Sequence, residues 1–173
     1  MNPQFKKILF ASDLSVEMEQ VFEYSLSFST CYKAEVIILH VLEEGDSSSE
    51  KMTRAIFGKD YYHDLKSRHK TSAQNILIGK RSDALRIKKR ISGFFREAFD
   101  GSETEPPIEK ILVAESPSVA NEIVSTAVDE NCDLIIMGCK QKGLLAQAMG
   151  DKLVRKVLRR TSVPVFLVPL SES

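Results

Sequence analysis

The residues with the clearest chemical possibilities lie between Gly138 and Lys152, in the run GCKQKGLLAQAMGDK. Glycines at 138, 143 and 150 let the backbone approach a ligand closely, and Lys140, Lys142 and Lys152 are point charges that suit phosphate groups. The start, Gly138 to Gly143, imitates a phosphate-cradling P-loop, but Leu144-Leu145 stands where that motif needs Lys-Ser/Thr, so the motif fails. Asp151 acts in the opposite sense. As a helix cap its carboxylate would occupy the backbone N–H groups a phosphate needs, and its charge would repel the phosphate. The other candidates are Asp13 and His40. With Asp151 they make no recognised set of base, nucleophile or metal ligands, so no catalytic residue and no metal ligand is assigned.

His40 lies inside the apolar run Val36-Ile37-Ile38-Leu39-His40-Val41. It reads first as a satisfied core or rim histidine and second as a ligand-facing group near a strand end. The three cysteines, Cys31, Cys132 and Cys139, are widely spaced with no C-x-x-C pair, which argues against a disulfide framework and a zinc site. Cys31 and Cys132 read as small residues beside core segments, and Cys139 belongs to a loop that is open to other roles.

These residues need a scaffold. Leu134-Ile135-Ile136-Met137 has the length and composition of a strand buried on both faces, ending at Gly138. After about Gly150, Leu153, Val154, Val157 and Leu158 recur at helical spacing, with Arg155, Lys156, Arg159 and Arg160 on the wet side. Val163 to Val168 reads as a further strand. Strand, glycine loop, helix and strand form half of a nucleotide-type α/β fold, and ligands in such folds bind beyond the carboxyl ends of the strands.

Upstream, Lys6 to Ala11 is a short strand. Asp13 or Ser15 can cap the helix after it, whose inward face is Met18, Val21, Phe22, Ser25, Phe28 and Tyr32. Glu35 to Leu42 is the next strand. From about residue 43 to 81 the periodicity dissolves into an acidic, serine-rich loop and an irregular stretch, too long for an ordinary connection and read as an inserted excursion or a partly mobile segment. Arg81 to Phe99 regains a helical period. Ile108 to Ala114 is a strand, and Ser116-Pro117 starts a helix bearing Val119, Ile123, Val124 and Ala127 on one face, closed at Asn131-Cys132. The order predicts a five-stranded parallel sheet with helices on both faces.

A chain of 173 residues with 43% hydrophobic content can bury one sizeable core, so a single domain over 1–173 is expected. Lys+Arg and Asp+Glu are equal at 24 each, which provides no global field for nucleic acid or membrane. The longest apolar runs are strand-sized and no signal-peptide core follows Met1, so a soluble, cytoplasmic protein is expected. The charge is uneven: basic residues from Lys51 to Arg96 are opposed by Asp60, Asp64 and Asp83 alone. That face lacks the aromatic interleaving of a specific nucleic-acid binder, and reads as a solvated or partner-facing surface.

Four pieces in order resemble the universal stress protein family: Lys7 to Asp13; Val36 to Val41; Ser116 to Val119 leading to Cys132 to Gly138; and Lys156 to Arg160 leading to Val163-Pro164-Val165. The resemblance covers nearly the whole chain outside 43–81. It implies a Rossmann-like fold of the adenine nucleotide alpha hydrolase type, strand order 3-2-1-4-5, and a cleft that in some members holds ATP or AMP. On this sequence it implies nucleotide contacts at Asp13 after strand 1, Val41 at the end of strand 2, and Met137-Gly138 at the start of the glycine motif after strand 4, with Ala11 at the end of strand 1 a further candidate. Lys140, Gly143, Gly150 and Asp151 complete the candidate set.

Beyond Gly138 the chain departs from the family's glycine motif. Its second glycine falls on Gln141, and its closing Gly-Ser/Thr falls on Asp151-Lys152, or on Gly150-Asp151 after one deletion. The expectation is therefore a stress-response or regulatory protein with a degenerate ATP/AMP pocket whose binding is weak or absent. Val163 to Pro169 is the terminal strand, expected at a sheet edge whose apolar residues and unpaired backbone groups invite another chain, and the family's habit of pairing this strand across a twofold axis agrees, so a homodimer through Val163 to Pro169 is expected. The alternatives are an interaction-only dimer using the basic middle segment with an unknown protein partner, or a weak phosphate-ester hydrolase.

Overall fold

The computed structural model describes residues 4–13, 15, 17–43, 76–77, 108–140 and 152–170. The expected helix over Arg81 to Phe99, the basic middle region apart from residues 76–77, and Gln141 to Asp151 lie outside the described residues.

Strand β1 (Lys7–Ser12), helix α1 (Met18–Tyr32) and strand β2 (Glu35–Glu43) come first, and strand β3 (Ile76–Leu77) is a two-residue piece. Strand β4 (Ile108–Ser116), helix α2 (Val119–Asp129), strand β5 (Leu134–Lys140), helix α3 (Lys152–Arg160) and strand β6 (Val165–Leu170) follow. The sheet order is β3-β4-β2-β1-β5-β6. The long strands pair in parallel, and numbered among themselves they have the order 3-2-1-4-5. The addition to the expected sheet is β3, antiparallel on the outer edge of β4 through Ile76↔Val113 and Leu77↔Leu112.

Alternation along each strand divides the apolar residues between two cores. Ile8, Phe10, Val36, Ile38 and Ile136 pack with Met18, Val21 and Phe22 of α1 on one face. Leu9, Ile37, Leu39 and Ile135 pack with Ile123 and Ala127 of α2 and Val154 and Val157 of α3 on the other. This is why the strands are continuous apolar runs: a parallel sheet with helices on both faces has no wet side.

Several boundaries differ from the sequence reading, each for a tertiary reason. No side chain caps α1. Instead Asp13 Oδ1 accepts from the Ser15 N–H at 2.9 Å, and the Ser15 carbonyl accepts from the Met18 N–H at 3.0 Å. The cap of α2 is Ser118, whose Oγ accepts from the Asn121 N–H at 3.4 Å, because β4 runs on to Ser116 opposite Glu43 of β2. Strand β5 does not stop at Gly138; it continues through Cys139 and Lys140, which pair with Pro169 and Leu170. Near the end of α1, Ser29 is buried while Tyr32 is 46% exposed, and Leu158 of α3 is 48% exposed. Cys31 is exposed rather than beside the core. Among the described residues no helix is long and apolar enough to cross a membrane.

Candidate functional site

The end of the sheet where β1, β2 and β5 terminate opens into a cleft of about 480 Å³, within the range of small-molecule sites. Its position follows from topology. The chain leaves β1 towards one face of the sheet and β5 towards the other, so the two connections diverge and leave a crevice between them. Ala11, Val41 and Met137, all buried, supply an apolar floor. The polar groups sit at the rim: Asp13 after β1, Glu43 at the end of β2, and Lys140 at the end of β5, all exposed.

Of the residues assigned from the sequence, Ala11, Asp13, Val41, Met137, Gly138 and Lys140 line this one cleft. Gly143, Gly150 and Asp151 lie outside the described residues. Glu43, Val119, Ile123 and Leu153 also line it and were not assigned. The signal that could have found them is positional: Glu43 ends a strand, and the other three begin or face from helices that pack over the strand ends.

Gly138 has a packing role. A methyl group there would sit 2.7 Å from Leu170 Cδ1 and 3.1 Å from Met18 Sδ, so its bare backbone lets α1 and β6 close over the end of β5. The Asp13 turn is tied locally through the Ser15 N–H. The Ser15 hydroxyl is buried on the cleft wall with no hydrogen-bond partner among the described residues.

His40 unites its two readings: it is 3% exposed, and it also lines the cleft. Its Nδ1 lies 2.9 Å from the Ser12 carbonyl oxygen, and a carbonyl can only accept, so Nδ1 carries the proton. Burial pushes the His40 pKa below its ordinary value of 6.5, opposed by the Ser12 carbonyl and the Asp13 carboxylate, which leaves a neutral imidazole at pH 7.

The opposite end of the sheet is clamped by charge. Asp133 Oδ2 accepts from the Lys6 and Lys7 N–H groups at 2.8 and 3.0 Å, Lys7 pairs with Glu109 at 3.1 Å, and Lys110 pairs with Glu130. Cys132 lies at that end; burial pushes its thiol up to about 12, which makes it unreactive near neutral pH. Among the described residues no group of three His, Cys, Asp or Glu side chains is arranged to hold a metal.

A sequence model of the universal stress protein family matches residues 4–169. The chain belongs to the universal stress protein family. It is similar to universal stress protein MJ0577 of Methanocaldococcus jannaschii, with 26% identity over 183 residues and 100% of both chains covered. A solved structure of MJ0577 superposes with a TM-score of 0.55 at 25% identity, covering 99% of this chain and 100% of that one. Universal stress protein UspA of Lactobacillus plantarum gives a TM-score of 0.57 at 15% identity, covering 96% and 99% of the two chains. A universal stress protein in complex with cAMP gives 0.53 at 14%, covering 98% and 100%. These last two likenesses carry the fold, and this universal stress protein shares with them the Rossmann-like sheet.

Proposed function

We propose that this universal stress protein is a regulatory stress-response protein whose cleft takes an adenine nucleotide weakly. The observation that carries the reading is the distribution of the lining: an apolar floor of Ala11, Val41 and Met137 between an acidic rim at Asp13 and a basic rim at Lys140. A flat, largely apolar ring with polar edges suits that floor. Carboxylates repel phosphate and accept from amino or hydroxyl groups, so the base and ribose belong towards Asp13 and the phosphates towards Lys140. A relative with the same fold is described in complex with cAMP, and the extension of an adenine nucleotide to this chain rests on its own lining residues.

Weakness follows from the residues after β5. Gln141 places a side chain where the family's loop has glycine, and Asp151 brings negative charge to the residue before α3, where unsatisfied N–H groups attract phosphate. Each defect is worth about 1 to 2 kcal/mol, which together lowers affinity roughly thirty- to nine-hundredfold. Calorimetry of the double variant Gln141→Gly with Asp151→Ser should show tighter ATP binding, with a larger gain for ATP than for adenosine. Micromolar ATP binding by the unaltered chain, or no gain in the variant, would overturn the reading.

The second reading, a homodimer, is favoured by one observation. The terminal strand β6 pairs with β5 on one side and is the last strand of the sheet, with Val165, Phe166 and Leu167 only half-buried. Such an edge invites pairing with another chain, and Pro169 restricts which backbone donors can join. The two readings are compatible, since the cleft lies inside one chain. A protein that functions in the cytoplasm, with the basic middle segment available to a partner, fits both.

A further inference from the structure

His40 links the core of the sheet to the rim of the cleft through a short relay of hydrogen bonds. It stands opposite Ser12 in the β1–β2 register, and its ring turns across the strands so that the Nδ1–H grips the Ser12 carbonyl at 2.9 Å. Ser12 is the last residue of β1 and Asp13 follows it directly. Asp13 Oδ1 then accepts from the Ser15 N–H, and the Ser15 carbonyl accepts from the Met18 N–H at the start of α1. A side chain on β2 therefore holds the turn that aims the Asp13 carboxylate.

A parallel strand end has no need of such a grip. Ser12 lines the cleft although it is only 6% exposed, and a histidine in a strand interior costs burial of a polar ring. The ring gives the Ser12 carbonyl a fixed partner. The charged groups beside it on the cleft lining are Asp13 from the β1–α1 turn, Glu43 from its own strand and Lys140 from β5.

We propose that His40 is a positioning residue of the nucleotide site: its Nδ1–H, by holding the Ser12 carbonyl, sets the direction in which Asp13 presents its carboxylate to the base or ribose. This rests on the adenine-nucleotide reading above for its ligand, but the bridge itself can be read without any ligand.

The test uses His40→Leu, which removes the donor, and His40→Asn, whose side-chain N–H₂ sits at the same bond distance from the backbone as Nδ1. The Leu variant should lose at least tenfold hydrogen-exchange protection at the Ser15 amide and at least tenfold in ADP or ATP affinity, while the Asn variant recovers both to within about threefold. A Leu variant that keeps the Ser15 protection, or an Asn variant that recovers nothing, overturns the proposal. Should the Leu variant fail to fold, ¹⁵N shifts of the His40 ring in the unaltered protein decide: the Nδ1–H tautomer at pH 7 supports the bridge, and the Nε2–H tautomer overturns it. A chain that binds no adenine nucleotide fails the previous proposal, and the Ser15 amide then decides this one separately.

Discussion

At the scale of single residues, His40 makes the stability of this protein depend on mild acid. Its folded pKa is depressed below the ordinary 6.5 by burial, so the unfolded chain takes up the proton more readily than the folded one. The contribution of the neutral ring is thus fully present above about pH 6.5. It is lost as pH falls from there towards the folded pKa, at no more than about 1.4 kcal/mol per pH unit. Urea midpoints measured at pH 7.5 and pH 5 should fall more for the unaltered chain than for His40→Asn, which keeps the donor and cannot titrate. Equal falls in the two proteins would show that other groups carry the acid sensitivity. Cys132 behaves differently although it is also buried, because its neutral form is the one present at every physiological pH.

At the scale of elements, β3 changes what the middle of the chain contributes. The irregular stretch from about 43 to 81 reads as an insertion, and it places Ile76 and Leu77 against the outer edge of β4. Two residues add little to a strand that already pairs with β2 along nearly its whole length, from Ile108 to Ser116. Deleting 47–78 and closing the gap with a short flexible loop should therefore leave a folded protein, since loop length itself costs little. A single cooperative transition in far-UV circular dichroism is the expected result, with greater self-association because the edge of β4 is then bare. Loss of that transition would mean that the segment carries part of the core.

At the scale of the whole molecule, the two edges of the sheet are not alike. One is covered by β3, whereas β6 at the other is flanked by aromatic residues that link it to α1, with Phe166 at 5.0 Å from Phe28 and 5.7 Å from Tyr24 between ring centroids. That half-buried edge is where a twofold pairing of chains is expected. Light scattering across a hundredfold range of concentration should give the mass of a dimer at the upper end. A monomer mass throughout would remove the homodimer.

The apolar runs at Ile8, Val36, Ile111 and Leu134, alternating along the chain with helical spacings, pointed to a parallel sheet covered on both faces, because such a sheet buries its inner strands on both sides. The resemblance of Lys7 to Asp13, Val36 to Val41 and Cys132 to Gly138 to one family pointed to Asp13, Val41 and Gly138, and the three line one cleft at the strand ends. Where elements stop was decided only by the tertiary structure. The β5 strand passes Gly138 because β6 offers Cys139 and Lys140 partners, and the α2 cap moves to Ser118 because β2 extends β4 to Ser116. The role of His40 was decided there too. In the sequence it is one polar residue in an apolar run, and only the β1–β2 register brings Ser12 opposite it, where a ring nitrogen can reach a backbone carbonyl that is distant along the chain.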